Sequence, residues 1–184
     1  KKNTLGGIYI VRDPRNVLDS VSRHYQIDHF NALKLMQDEK SFTYDFKKKN
    51  DYSDYQFISS WQKNYQSWKY NKLIPVKFIR YEDLIKETFI VFKEIVEFID
   101  KITNNRKGFS REKAKNAVQS TSFENLKKIE KTNGFGESII SREEKRKIPF
   151  FHLGPNNNWQ KNFDDEFIKK LNNIFGKNLE ELNY

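Results

Sequence analysis

Two polar side chains that follow an apolar run, Arg12 and Ser20, have the types and spacing of an anion-binding site. An arginine at the carboxyl end of a buried strand presents a rigid fork of N–H donors that matches phosphate oxygens. A serine eight positions later can add a hydroxyl donor from the edge of the helix that follows. The alternative is that Arg12 pairs with an acidic neighbour and that Ser20 is a solvated helix residue. The short motif alone does not decide between them.

The elements that must position this pair are a strand over residues 6–12 and a helix that begins at the Asp13-Pro14 step. Aspartate is a favoured N-cap residue, and proline fits the first helical position. A second apolar run, residues 76–81, also ends in polar residues before a helix. More than sixty residues of mainly helical pattern separate the runs, which forbids a hairpin and favours a parallel crossover. Ligands bind at the carboxyl ends of such strands.

The rest of the chain predicts an α/β fold in which helices surround few strands. An aromatic stripe within the predicted helix 54–70 has the three- and four-residue spacing of a core face. The final helix begins at Asp164, and we expect Gly176 to interrupt it. The other predicted segments are helices over 29–39 and 110–119, a helix after Asp83, a short turn from Thr121, and a glycine-bearing loop over 130–138.

Composition restricts the partners and the organisation. The 184 residues fit one domain, 1–184, and a formal charge of +9 favours an anionic partner. The chain has no cysteine and three scattered histidines, so we expect no metal site. No apolar run approaches the roughly 20 residues of a membrane span, so we expect a soluble, cytoplasmic protein with no membrane partner.

Four segments, in order, resemble the sulfotransferase family that uses 3′-phosphoadenosine 5′-phosphosulfate (PAPS) as sulfuryl donor. The similarity extends over roughly residues 6–165, and ordered agreement of four motifs is more specific than any one of them. The expected fold is then a P-loop-type parallel sheet. The four segments are "YIVRDPRNVLDS", "FIRYEDL", "STSFENLKK" and "FFHLGPNNNWQKNF".

The resemblance implies roles for individual residues in binding PAPS as a co-substrate. Arg12 and Ser20 occupy the family's two 3′-phosphate positions, and Tyr81 corresponds to a residue that approaches the adenine. Thr121 and Phe123 are assigned to the base by the same analogy. Gly154 lies in a late loop that closes over the 3′-phosphate, with Trp159 as its anchor. The implied reaction is sulfuryl transfer to an unknown acceptor hydroxyl or amine, such as a small molecule or a glycan.

Two features depart from the family pattern. His152-Leu153 stand where better-known members carry an Arg-Lys pair, so one phosphate clamp is missing, and the basic segment 142–147 is a candidate substitute. The family's first strand, its glycine loop for the 5′-phosphosulfate and its catalytic histidine do not occur in the sequence. We therefore expect the carboxyl-terminal two-thirds of a larger enzyme, truncated at the N-terminus and inactive alone, with no catalytic residue assigned.

Several residues retain two interpretations. His152 is either a phosphate-binding cation or an exposed loop histidine, and Tyr81 and Phe123 are either ligand contacts or core aromatics. We expect structural or surface roles for His24 and His29, and surface positions for two further arginines, Arg15 and Arg23. The acceptor is expected to contact variable regions such as 26–57 and 131–148.

Two other classes of function compete with the enzyme. A nucleic-acid-binding module is compatible with the charge of +9 and 15% aromatic residues, but the aromatics have core spacing and no known signature occurs, so we expect no nucleic-acid partner. The other class is a catalytically inactive nucleotide-binding or interaction fragment. The sequence preceding Lys1 is the observation that would best separate it from the enzyme.

Overall fold

The computed structural model describes residues 3–43, 55–105, 108–136, 138–141 and 145–184. Its central element is a parallel pair of strands, β1 (Gly7–Val11) and β4 (Val76–Arg80). Gly7 pairs with Val76, and Val11 pairs with Arg80. The predicted α/β fold with a parallel sheet is confirmed. Because the strands are parallel and in register, Arg12 and Tyr81 follow them at the same sheet edge.

Helices and two small hairpins surround this pair. The helices are α1 (Pro14–Tyr25), α2 (His29–Gln37), α3 (Trp61–Lys69), α4 (Tyr81–Lys86), α5 (Thr88–Thr103), α6 (Arg111–Ser120), α7 (Phe123–Asn133), α8 (Trp159–Asn162) and α9 (Asp165–Leu182). The remaining strands form two antiparallel pairs. These are β2 (Phe42–Thr43) with β3 (Gln56–Phe57), and β5 (Ile139–Ile140) with β6 (Lys147–Ile148).

Four predicted segments differ from the structure, and the first is the loop predicted over 130–138, whose first four residues continue α7 to Asn133. Ser60, rather than a residue near 54, caps α3, because its side chain accepts a hydrogen bond from the Lys63 N–H. The segment from Thr121 forms a full helix, α7, which Ser122 caps in the same manner. Gly176 does not interrupt α9, which is continuous and buries Phe175 and Leu179 on the core side. Burial of that face outweighs the roughly 1 kcal/mol helix penalty of one glycine.

The core lies between α1, α2 and α9. Leu18, Leu33 and Leu171 are at most 2% exposed, and Phe175 packs against Trp61 with ring centroids 5.5 Å apart. The aromatic stripe of α3 is part of this core, as predicted, since Tyr65 is fully buried and Trp61 lies 4.8 Å from it. One face of α1, the helix that carries Ser20, is thereby packed against α2 and α9.

The two faces of β1 differ in their covering. Tyr9 stacks between Trp68 and Phe78 at 5.6 and 5.4 Å, and its hydroxyl donates to Asn64. On the opposite face Ile8 and Ile10 remain 40% and 47% exposed. Strands of a parallel sheet are normally buried on both faces, so the described residues leave one face of β1 without its usual covering.

Candidate functional site

The turn between β1 and α1 is held by Asp13, which is 5% exposed. Its carboxylate accepts hydrogen bonds from the Arg15 backbone N–H at 2.9 Å and from the Arg15 guanidinium at 2.7 Å. Its own backbone N–H donates to Glu82 of α4 at 3.3 Å. Asp13 therefore caps α1 and ties the carboxyl ends of the two parallel strands together.

The surface position expected for Arg15 was wrong. Its side chain is only 11% exposed, because it lies between the Asp13 carboxylate and the Trp159 ring, 4.0 Å from the ring centroid. It also donates to the Asn172 side chain of α9 at 3.0 Å. Arg15 thus serves the packing around the turn, and Trp159 anchors the late loop as predicted.

Arg12 extends from the end of β1 to the late loop. Its Nη2 donates to the Gly154 carbonyl at 2.9 Å, and its guanidinium lies 4.3 Å from the centroid of the Tyr81 ring. Its Nε is buried and has no hydrogen-bond partner within the described part of the chain. A stacked and partly bonded guanidinium is held in one orientation, so its remaining donors are available to an anion with little further ordering.

Gly154 lies where the late loop passes against α7. Its φ is +53°, a conformation that L side chains rarely adopt, and a Cβ at this position would overlap the Phe123 ring. The glycine therefore permits both the turn and the close approach of the loop to Phe123. This contact brings the first residue of α7 to the loop that Arg12 holds.

We expect Gly154→Ala to weaken nucleotide binding, because the loop must move away from both Arg12 and Phe123. Backbone strain of this kind costs about 1–3 kcal/mol. The measurements are thermal unfolding and calorimetric titration with adenosine 3′,5′-bisphosphate, with Gly176→Ala in the open space beside α9 as the matched control. An alanine variant that binds like the parent would show that the loop geometry is unimportant.

Ser20 and Thr121 lie at the rim with their hydroxyls oriented by local hydrogen bonds. Ser20 is exposed and donates to the Asn16 carbonyl one turn earlier at 3.3 Å, whereas Thr121, at the end of α6, donates to the Ala117 carbonyl at 2.7 Å. Within the described ranges, neither hydroxyl bonds to a distant side chain. Both oxygens retain lone pairs, and the Ser20 hydrogen can rotate towards a ligand.

The six residues assigned by resemblance line one cavity of about 610 Å³. They come from five separate parts of the chain: the end of β1, α1, the start of α4, the junction of α6 and α7, and the late loop. The volume is within the usual range for small-molecule sites. The cavity is lined by Arg12, Ser20, Tyr81, Thr121, Phe123 and Gly154, among others.

The late loop is attached to α1 through asparagines that sequence reasoning did not identify. The Asn16 side chain accepts from the Trp159 N–H at 3.1 Å, and its carbonyl accepts from the Asn157 side chain at 3.2 Å. Asn157 is 8% exposed and also accepts from Asn162 at 2.9 Å. The run "PNNNWQKN" contains the only available signal, since clustered asparagines suggest side-chain to backbone bonding.

Glu130 on α7 holds the part of the cavity wall that Phe150 and Phe151 form. It accepts from the backbone N–H groups of Phe150 and Phe151 at 2.6 and 3.0 Å, and from the Ser138 hydroxyl. Desolvation raises the pKa of Glu130, but these hydrogen bonds and nearby Lys147 outweigh it, and the pKa is lowered overall. The carboxylate is therefore ionised at neutral pH and holds the Phe150–Phe151 backbone against α7.

Arg23 and His152 also line the cavity. Arg23 is half-buried, which was not expected from sequence, and its Nε is a buried nitrogen without a hydrogen-bond partner in the described ranges. His152 is exposed, and partial desolvation together with the charge of Arg23 lowers its pKa, whereas the charge of Asp19 opposes this shift. A bound anion would oppose this shift.

The remaining histidines and the basic segment differ in placement. His24 lies against Tyr25 and lines the cavity rim, whereas His29 packs on Phe163 at 4.8 Å, in the structural role expected of it. Of the basic segment 142–147, residues 142–144 lie outside the described residues. Lys147 lies beside Glu130, and the cavity lining does not include it.

The described residues contain neither a metal-binding cluster nor a helix that could span a membrane. No group of three or more histidine, aspartate or glutamate side chains among them could hold a metal ion. None of the helices in the described ranges combines the length and apolar character of a membrane span.

Comparisons with known proteins were made for the sequence and for the structure. A family model described as "Sulfotransferase domain" matches residues 2–183. The structure is similar to mouse sulfotransferase SULT7A1, solved in complex with PAP, with a TM-score of 0.61 and 19% sequence identity. The similarity covers 94% of this chain and 58% of that chain, so this chain spans little more than half the length of the mouse protein. A search of curated proteins by sequence found no match.

Proposed function

Because the chain belongs to the sulfotransferase family, we propose that it binds PAPS in the cavity and transfers its sulfuryl group to an acceptor hydroxyl or amine. The observation that carries the proposal is the Arg12 guanidinium, which is stacked on Tyr81 and bonded to the late loop. Its buried Nε has no hydrogen-bond partner among the residues that the structure describes. An oriented cation at a strand end is suited to a phosphate.

The side chains around Arg12 fit a 3′-phosphorylated adenosine. Arg12 and Ser20 supply donors for the phosphate, and the faces of Tyr81 and Phe123 supply aromatic surface for the base. Thr121 offers a hydroxyl next to Phe123 at the start of α7. The Gly154 loop would close over the phosphate because it is already attached to Arg12 and to α1.

In the proposed reaction the donor supplies the sulfuryl group. The acceptor oxygen or nitrogen forms a bond to sulfur while the sulfur–oxygen bond to adenosine 3′,5′-bisphosphate breaks, and the acceptor proton passes to a base. Fixed donors stabilise charge in such an in-line transfer, as in phosphoryl transfer. The residues of this chain bind and orient the nucleotide end of the donor.

We further propose that the groups around the transferring sulfur come from a segment outside these 184 residues. The sequence contains no strand followed by a glycine- and lysine-bearing phosphate loop. Ile8 and Ile10 form an exposed apolar surface on one face of β1, which a helix that follows such a strand and loop would cover. Residues 1–184 would then be part of one sulfotransferase domain. The acceptor would contact parts of 26–57 and 131–148, of which 44–54, 137 and 142–144 lie outside the described residues.

The test of this function is calorimetric titration of the full-length protein with two nucleotides. Adenosine 3′,5′-bisphosphate is expected to bind at least tenfold more tightly than adenosine 5′-monophosphate, because a hydrogen bond to a charged group contributes about 1.5–3 kcal/mol. The two ligands share the base, ribose and 5′-phosphate, so the difference isolates the 3′-phosphate. Equal affinities would contradict the proposed site.

A further inference from the structure

Arg23 is a cation within the proposed nucleotide cavity that has no role in the contacts described so far. It lies three residues after Ser20 on α1, so the two side chains share one face of the helix. Both line the cavity, together with Arg12. The helix thus presents a serine hydroxyl and a guanidinium to the same space, one turn apart.

The local environment of Arg23 leaves part of its guanidinium unsatisfied. Burial lowers the pKa of Arg23, and the charge of Asp19, one turn earlier, only partly offsets that cost. Its Nε is buried and finds no acceptor in the parts of the chain that the structure describes. A buried donor without a partner costs free energy, which an anion in the cavity would recover.

The charges around this position add to a positive field. Arg23 and Lys127 both lower the pKa of His152, which places the three side chains within electrostatic reach of one another. Lys127 lies 5.9 Å from the Phe123 ring, beside the cavity. Asp19 also lines the cavity, where its charge raises the pKa of His152 and offsets part of this field, and it lies 3.7 Å from His29. The cavity end at Ser20 and His152 is therefore suited to a group of more than one negative charge.

We propose that Arg23 supplies the second cation for the 3′-phosphate, in place of the Arg-Lys pair that His152-Leu153 replace. This inference rests on the proposed function. The phosphate would lie between Arg12 and Arg23, with the Ser20 hydroxyl between them on α1. Arg23 is a binding residue in this arrangement, and it acts on the nucleotide alone, without a part in the transfer step.

The test compares Arg23→Gln with the parent in calorimetric titrations of the full-length protein. Affinity for adenosine 3′,5′-bisphosphate is expected to fall about tenfold, the size of one lost charge-assisted hydrogen bond. Affinity for adenosine 5′-monophosphate is expected to stay unchanged, because that ligand has no 3′-phosphate. Arg23→Lys is expected to recover part of the loss, since the charge remains. The matched control is Arg111→Gln, at the exposed start of α6 and outside the cavity lining.

The possible outcomes separate this inference from the function on which it rests. If the parent binds both nucleotides equally, the proposed function fails and the inference fails with it. In the other case, the parent binds the bisphosphate more tightly than the monophosphate. If Arg12→Ala then removes this difference in affinity and Arg23→Gln retains it, only the inference is overturned. If Arg23→Gln lowers the affinity for both nucleotides equally, Arg23 supports the structure of the cavity. If Arg23→Gln raises the KM for the acceptor and leaves the bisphosphate affinity unchanged, Arg23 binds the acceptor. Either result overturns the proposal.

Discussion

No sulfuryl transfer is expected when residues 1–184 are assayed alone with PAPS and a panel of acceptors. The chain supplies the proposed 3′-phosphate and adenine contacts, but its sequence lacks a glycine- and lysine-bearing loop for the phosphosulfate. Loss of one preorganised donor at a reacting centre typically costs about 2.7–4 kcal/mol of transition-state stabilisation, or a hundredfold or more in rate. Loss of several donors together removes measurable turnover.

The measurement is transfer of radiolabelled sulfate, run in parallel on residues 1–184 and on the full-length protein that the gene encodes. Binding of adenosine 3′,5′-bisphosphate to residues 1–184 is the internal control, because weak binding without turnover separates an incomplete site from a misfolded one. Equal turnover of the two chains would mean that the catalytic centre lies within these residues. His24, at the cavity rim, would then be the first candidate base to replace.

Arg12→Ala is expected to have the largest effect of any single substitution on nucleotide affinity. The change removes a full charge, the hydrogen bond to Gly154 and the contact with Tyr81 at once. A hydrogen bond to a charged group contributes about 1.5–3 kcal/mol, so affinity for adenosine 3′,5′-bisphosphate should fall by at least tenfold. Ser20→Ala should cost less, because the serine is exposed and contributes no charge.

Calorimetric titration of the full-length protein measures both changes, with Arg111→Ala as the control for loss of an arginine. Thermal unfolding accompanies the titration, since a cation–π contact contributes about 0.5–1 kcal/mol at an exposed site and its loss should lower the stability slightly. An Arg12→Ala protein that is folded and binds with unchanged affinity would refute the role of Arg12.

The structure weakens the aromatic argument for nucleic-acid binding only in part, because Phe42, Phe57 and Tyr70 are among the aromatic side chains that remain exposed. Two aromatic residues of α3 and β1 are packed inside the protein, since Tyr65 is fully buried and Tyr9 is stacked between two rings. Stacking platforms for bases require exposed aromatic faces. The net charge of +9 remains compatible with any anionic partner.

The sequence by itself determined the elements around the strand ends. An apolar run, an N-cap aspartate and an N1 proline are local signals, and they located the end of β1 and the start of α1 correctly. The distance between the two apolar runs forbids a hairpin and allows a parallel crossover, and the observed parallel pairing places Arg12 and Tyr81 at one edge. Ordered motifs then indicated the family, because each motif has its own short-range pattern.

Only the tertiary structure decided which side chains meet across the cavity. The sequence predicts a surface position for Arg15, but the structure places it against Asn172 of α9 and Trp159 of the late loop. The sequence predicts the same for Arg23, but the structure places it in the cavity lining together with the wall that Glu130 holds. The closeness of Gly154 to Phe123 joins residues about thirty positions apart in the chain. Burial and unsatisfied donors depend on such long-range packing, and helical periodicity carries no information about what packs against a polar face.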